Sequence, residues 1–63
     1  MDGKKVRAAR LKAELTLREL AAKSGVSRSL ICEIEANRAN PTIENLEKLA
    51  RALNTTIDAF FEG

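Results

Sequence analysis

Two short helical segments separated by one glycine, in the stretch TLRELAAKSGVSRSLICEIEAN (residues 16–37), constrain the fold of this chain most strongly. Thr16 and Glu19 have the spacing of a capping box, which predicts that a helix begins at residue 17. Gly25 can adopt the left-handed conformation that ends such a helix, and Ser27 is a good N-cap for a second helix over residues 28–36. A helix, a turn of about four residues and another helix form the layout of a helix-turn-helix.

The second of these helices has two different faces. Ile31 and Ile34 are three residues apart and are predicted to point inward. Arg28 and Ser29 also occupy the first helical turn, which contacts base edges when such a helix enters the major groove of DNA. The residues predicted to point outward are Arg28, Ser29, Cys32 and Glu33. An ordinary helical hairpin with a solvated polar face has the same pattern, so both interpretations stay open at this point.

Charge is unevenly distributed along the chain, although the net charge is only +2. Residues 1–28 contain eight basic and three acidic side chains, whereas residues 29–63 contain three basic and six acidic ones. The first part, with a net charge of +5, can therefore face a polyanion. A solvated charged surface is the alternative interpretation of the same distribution.

The composition disfavours several functional classes. A chain of 63 residues forms at most one domain with a small core. It has no His, and Cys32 is its one cysteine, which argues against a disulfide or a metal site and favours a reducing compartment. No nucleophile–base pair and no phosphate-binding glycine loop is present, so we predict neither an enzyme nor a cofactor. No apolar run is long enough to span a membrane, and no signal peptide is expected.

Hydrophobic periodicity predicts three more helices, and no segment alternates as a strand would. The first helix is predicted over residues 4–13, the fourth over 43–53 behind the N-cap Thr42, and the fifth over 57–62 behind Thr56. The inward residues predicted for the first and fourth helices are Val6, Ala9, Ala13, Ile43, Leu46, Leu49, Ala50 and Leu53. The predicted fold class is all-α, with five short helices around one core.

Two charged residues fall on inward faces of the predicted helices. Arg10 lies four residues after Val6, and Glu35 follows Ile34. Because a lone buried charge is costly, we predict an ion pair between Arg10 and Glu35. Alternatively, each side chain extends separately to solvent.

Three turn positions are expected to be left-handed or strained. Asn37 and Asn54 follow predicted helices and tolerate the left-handed conformation well. Glu14 occupies a turn that would prefer glycine.

Over residues 6–61 the chain resembles the phage-repressor and Cro family of helix-turn-helix domains, also called the xenobiotic-response-element (XRE) family. The resemblance rests on Arg10, Leu15-Thr16, Glu19-Leu20-Ala21, Ser24-Gly25-Val26-Ser27, Ile31, Ile34-Glu35, Asn40-Pro41-Thr42, Leu49-Ala50, Ala52-Leu53 and Ile57-Asp58. It implies a lambda-repressor-like domain spanning residues 1–63, with its helix-turn-helix at residues 17–36. It also implies a structural ion pair between Arg10 and Glu35.

The same resemblance implies a sequence-specific, double-stranded DNA-binding transcriptional regulator of repressor type. Such a protein would bind a palindromic operator as a homodimer, in the cytoplasm and at the nucleoid of a prokaryote or phage-infected cell. Residues 28–36 would be its recognition helix in the major groove. The implied base contacts are Arg28, Ser29, Leu30, Cys32 and Glu33. The implied phosphate contacts are Thr16, Leu17, Arg38, Asn40 and Thr42.

Glu33 has three open interpretations within this framework. It could accept a hydrogen bond from a cytosine amino group, orient Arg28 across one helical turn, or repel phosphate.

Some residues depart from the family pattern. Leu17 stands where many members have a phosphate-binding Gln, and Glu14 and Asn37 stand where Gly is usual. Leu17 together with Asn40-Pro41-Thr42 is similar to members that carry a C-terminal sensory domain, often a cupin barrel.

Two alternatives to a DNA-binding regulator remain at this point. One is a protein-interaction module on the same fold, such as an antitoxin or a coactivator bridge, with weak or absent DNA binding. Its contact candidates are Leu11, Cys32 and Phe61. The other is a folding domain without a selected function.

Overall fold

A computed structural model describes residues 1–61 as four α-helices and one 3-10 helix, with no strand among these residues. The helices are α1 (Gly3–Lys12), α2 (Leu17–Ser24), α3 (Arg28–Glu35), α4 (Ile43–Ala52) and the 3-10 helix Ile57–Phe60. The predicted all-α class is confirmed, whereas the predicted fifth helix is a single 3-10 turn. Its predicted end at Glu62 lies outside the described residues. None of the helices in residues 1–61 has the length and apolar character needed to cross a membrane.

Every α-helix begins at a side chain that accepts a hydrogen bond from a backbone N–H of the first turn. These N-cap residues are Asp2, Thr16, Ser27 and Thr42. At α2 the predicted capping box is complete, because Thr16 Oγ1 accepts the Glu19 N–H at 3.1 Å and Glu19 Oε1 accepts the Thr16 N–H at 2.8 Å. The hydrogen bond that the Glu19 carboxylate accepts from the Thr16 backbone N–H is the main cause that holds the pKa of Glu19 below its ordinary value of 4.5.

The predicted cap at Thr56 is wrong, since its side chain makes no cap hydrogen bond. The short 3-10 turn closes instead through the backbone, where the Ala59 N–H donates to the Thr56 carbonyl at 3.2 Å. The predicted ends of α1, α3 and α4 also differ from the observed ends by one residue, as is usual where helix ends fray.

The core is formed by aliphatic side chains from all four α-helices together with Phe60 of the 3-10 helix. Its largest fully buried side chains are Val6, Leu20, Ile31, Ile34, Leu49 and Phe60. Two predicted core residues are exposed. Ala13 follows the end of α1, and Ile43 is 56% exposed because it begins α4, outside the part of that helix that packs against the core.

Arg10 and Glu35 form a bidentate ion pair between α1 and α3. Arg10 Nε lies 2.8 Å from Glu35 Oε2, and Nη2 lies 3.1 Å from Oε1. Arg10 Nη1 also donates to the Leu15 carbonyl at 2.9 Å, so one side chain joins α1, the α1–α2 linker and α3. Hydrogen bonding to Glu35 raises the pKa of Arg10 further. Only 8% of Arg10 is exposed, so its charge depends on this partner.

The start of α1 packs very closely against the end of α3. A β-carbon added to Gly3 would overlap the carbonyl oxygen of Ile34. The Gly3 N–H donates at 2.8 Å to Oδ1 of Asn37, which has the left-handed conformation predicted for it (φ 60°). Glycine is therefore required at residue 3 for contact with α3, a role that the sequence pattern did not reveal.

Glu14 also has a left-handed backbone, with a φ of 59° and an exposed side chain. We expect Glu14→Gly to raise the free energy of unfolding by about 0.5–1 kcal/mol. The reason is that the strain of a left-handed glutamate is larger than the entropic cost of ordering a glycine at this position. Urea denaturation followed by far-UV circular dichroism measures this change. Asn37→Gly is the matched control, and it should bring no such gain because it removes the acceptor of the Gly3 N–H. A Glu14→Gly protein no more stable than the parent would contradict the assigned strain.

Candidate nucleic-acid interface

An open groove of about 650 Å³ lies between the beginning of α2 and the outer face of α3. Its lining residues are Thr16, Leu17, Arg18, Arg28, Ser29, Cys32 and Glu33. The fold therefore brings together predicted base-contacting residues from α3 and predicted phosphate-contacting residues from α2. The groove is open to solvent along α3, so an elongated ligand can enter it from outside.

The outer face of α3 is polar and free of contacts with the core. Arg28, Ser29, Cys32 and Glu33 are exposed, and the opposite face is anchored by Ile31 and Ile34, which are completely buried. This division places four polar or small side chains in the groove on a helix that is held rigidly from behind. Leu30, by contrast, is half-buried and packs against the core, so only part of its surface can contact a ligand.

The first turn of α2 contributes groove-lining residues whose backbone N–H groups are unpaired within residues 1–61. Thr16 Oγ1 accepts the Glu19 N–H, and the Thr16 carbonyl accepts the Leu20 N–H. Among residues 1–61, the N–H groups of Leu17 and Arg18 donate to no protein acceptor. These donors and the positive end of the helix dipole favour an anion such as phosphate.

Arg18 is a groove residue that the sequence analysis missed. The sequence pattern contributed it only to the positive charge of residues 1–28. Which exposed face of α2 lies beside α3 depends on how the two helices pack, and the sequence pattern carries no signal for that. With Arg28 it gives the groove two cationic side chains.

The α3–α4 loop begins at the same end of α3 as Glu33. The Asn37 N–H donates to the Ile34 carbonyl at 3.0 Å, and the Arg38 N–H donates to the Glu33 carbonyl at 2.8 Å. This pair of hydrogen bonds is a Schellman motif, which fixes the direction in which the chain leaves the helix. Arg38 Nε lies 3.3 Å from Glu33 Oε2, so Glu33 pairs with Arg38 in this structure.

The remaining predicted phosphate contacts lie further along this loop. Asn40 and Thr42 are exposed. Thr42 Oγ1 accepts the Asn45 N–H at 3.1 Å, which leaves its hydroxyl hydrogen available to donate.

Acidic side chains near the groove are engaged by other groups of the protein. Glu19 accepts the Thr16 N–H, and Glu33 faces Arg38. With Arg18, Arg28 and Glu33 in its lining, the groove has a net positive charge. The groove thus combines cationic side chains, free backbone donors and an exposed polar helix face, which suits a polyanion that also carries hydrogen-bonding groups.

Comparisons with known proteins agree with this geometry. The helix-turn-helix family model HTH_3 matches residues 6–60. The chain is 39% identical over 57 residues to the immunity repressor protein of Bacillus phage phi105, which covers 90% of this chain and 40% of that protein. It is 33% identical over 63 residues to the transcriptional regulator SinR of Bacillus subtilis, covering 98% of this chain and 57% of SinR. The chain thus spans about half the length of these curated relatives.

Solved structures are similar over nearly the whole chain. A crystal structure of SinR, the master regulator for biofilm formation, in complex with DNA has a TM-score of 0.92 and 33% identity, covering 98% of this chain and all of that one. A complex of the SinR and SinI proteins also has a TM-score of 0.92 and 33% identity, covering 98% of this chain and 61% of that one.

Proposed function

Because this chain belongs to the HTH_3 family of helix-turn-helix domains, we propose that residues 1–63 form a DNA-binding domain of a transcriptional regulator. One observation carries the proposal: the exposed polar face of α3 and the N-terminus of α2, where two N–H groups are unpaired within the described residues, line the same groove. An α-helix with such a face fits the major groove of B-DNA. The likeness to a regulator solved in complex with DNA supports this interpretation.

In the proposed complex, α3 contacts base edges. Arg28 is in the first turn and can donate two hydrogen bonds to O6 and N7 of a guanine. Glu33, one turn later, can accept from a cytosine amino group. Leu30 and Cys32 are the candidates for contact with a thymine methyl group, and Ser29 can hydrogen-bond several bases.

Phosphate contacts are proposed on both sides of this helix. On one side, the free N–H groups of Leu17 and Arg18, which follow the N-cap Thr16, bind one phosphate. The Arg18 side chain adds a positive charge beside it. On the other side, Arg38, Asn40 and Thr42 contact a phosphate of the opposite strand. Several such contacts predict that affinity falls steeply with salt concentration.

The proposed regulator acts as a homodimer on a palindromic operator and represses transcription. The two half-sites would lie about one helical turn, roughly 34 Å, apart. An immunity repressor among the relatives supports the repressor role. The curated relatives are longer than this chain, which is consistent with a regulator in which a C-terminal sensory domain follows the DNA-binding domain. We expect it to act in the cytoplasm, at the nucleoid of a prokaryote or phage-infected cell.

Cys32 allows a direct test, because it is the one cysteine of the chain and lies exposed in the groove. Random duplex DNA is first enriched on the purified protein at two salt concentrations to obtain the operator. Alkylation of Cys32 by a bulky maleimide is then followed with and without operator. At nine-tenths saturation we expect labelling to slow roughly tenfold, because only free protein reacts.

A matched control moves the thiol away from the groove. Glu47 is exposed and lines a separate concavity between α4 and the 3-10 helix. In a Cys32→Ser, Glu47→Cys protein, operator should leave the labelling rate unchanged. Operator binding with undiminished labelling of Cys32 in the parent would show that DNA occupies another surface.

A protein-interaction module on the same fold is the second candidate. It is favoured by Leu11 and Phe61, two apolar residues that are 54% and 49% exposed, and by the solved complex of a relative with another protein. Capture of a protein partner that is insensitive to salt, together with no binding to random DNA at low salt, would favour this candidate over the first.

A further inference from the structure

Glu33 connects two parts of the proposed interface. It lines the groove beside Arg28 and Cys32, and its carboxylate also faces Arg38 at the start of the α3–α4 loop. The backbone maintains this arrangement, since the Arg38 N–H donates to the Glu33 carbonyl at 2.8 Å and Asn37 turns the chain with a φ of 60°. The two residues therefore stay close enough for their side chains to pair.

This ion pair is weak enough to exchange partners. The side chains of Arg38 and Glu33 are 68% and 48% exposed, and their closest approach is 3.3 Å. Exposed pairs of this kind contribute little to stability, so a phosphate can compete for the guanidinium. If Arg38 leaves, however, the Glu33 carboxylate remains unpaired close to the DNA backbone, where a negative charge is repelled.

We propose that Glu33 is a selectivity residue that acts through Arg38, an inference that rests on the proposed DNA-binding function. On non-cognate DNA, Glu33 keeps Arg38 from making its full phosphate contact. On the cognate site, a cytosine amino group donates to Glu33 and takes the place of Arg38, which then moves to the phosphate. The correct base thus frees Arg38 to contact a DNA phosphate. A phosphate contact by itself carries no sequence information, and this exchange makes it depend on the base that Glu33 meets.

The variant Glu33→Gln tests this exchange, because it keeps the size of the side chain and removes its charge. On random duplex DNA at low salt we expect binding to tighten about three- to tenfold. The slope of log affinity against log salt concentration should steepen by about 0.9 for each bound subunit, the value for one added phosphate contact. On the selected operator the gain should be smaller, so the ratio of operator to random affinity falls.

Two matched variants separate this mechanism from simple charge repulsion. Glu47→Gln makes the same change in net charge outside the groove and should leave random-DNA binding close to that of the parent. In an Arg38→Gln background, Glu33→Gln should lose most of its tightening, because no guanidinium remains to be released. Equal tightening in both backgrounds, or no tightening in the parent background, overturns the proposal.

Failure of this inference is distinguishable from failure of the proposed function. If the parent binds no duplex DNA at low salt, the proposed function is wrong. If the parent binds and protects Cys32 but Glu33→Gln binds random DNA as the parent does, only the role of Glu33 is wrong. Thermal unfolding of each variant checks its fold, which we expect to be intact because both side chains are exposed.

Discussion

Glu35→Ala is expected to lower the free energy of unfolding by about 3–5 kcal/mol, the largest effect on stability that we predict. The substitution deprives Arg10, a residue only 8% exposed, of the carboxylate that accepts two of its hydrogen bonds. A domain of this length has a total stability of about 3–9 kcal/mol. The loss should therefore take about a third or more of the total stability and lower the urea midpoint accordingly.

Urea denaturation followed by far-UV circular dichroism is the appropriate measurement, because the chain has no Trp or Tyr for fluorescence. Glu44→Ala is the matched control. It removes the carboxylate of an exposed ion pair, in which Glu44 Oε2 lies 3.8 Å from Lys48 Nζ. It should lower the free energy of unfolding by less than about 0.5 kcal/mol.

A double variant separates the stability that the ion pair contributes from the cost of leaving one buried charge unpaired. Arg10→Met with Glu35→Leu removes both charges and should be considerably more stable than Glu35→Ala alone. Some loss should remain, since Arg10 also donates to the Leu15 carbonyl. If Glu35→Ala were as mild as Glu44→Ala, Arg10 would have to reach solvent without its partner, and the pair would not support the fold.

Arg28→Ala is expected to weaken binding to the selected operator by about 1–3 kcal/mol, or roughly 5- to 150-fold, the largest effect on binding that we predict. A bidentate contact with guanine discriminates strongly among bases, so the loss should come with a relaxed preference at one operator position. Arg28 is exposed in the first turn of α3, and its truncation should leave the fold intact. Fluorescence anisotropy with the operator and its single-base variants measures both effects.

Asn40→Ala provides the contrast, because Asn40 is exposed in the α3–α4 loop and is proposed to contact phosphate. It should weaken all sequences about equally, without a change in base preference. Were Arg28→Ala to bind the operator and its single-base variants as the parent does, the assignment of Arg28 to a base would have to be abandoned.

Local signals in the sequence determined the helices and their order. The capping box of Thr16 and Glu19 and the left-handed Gly25 mark both ends of α2. Ser27 begins α3, and the three-residue spacing of Ile31 and Ile34 identifies its buried face. These features are predictable because caps and helical periodicity depend only on residues within about one turn of one another.

Packing between helices decided what local patterns do not contain. The sequence pattern predicted Ile43 in the core, whereas the fold exposes it. The same pattern gave Arg18 no role, whereas the fold places it in the groove. It also left the partner of Glu33 open, and the Schellman turn at the end of α3 brings Arg38 to it.

The requirement for glycine at residue 3 likewise exists only in the folded protein. Nothing in its sequence neighbours indicates that α1 must approach the Ile34 carbonyl closely enough to exclude a β-carbon. Sequence thus determined which residues form helices and which side of α3 faces outward, because helix formation and amphipathicity are local properties of the chain. Only the tertiary structure decided which outward side chains share a groove, because that depends on how separate helices pack against one another.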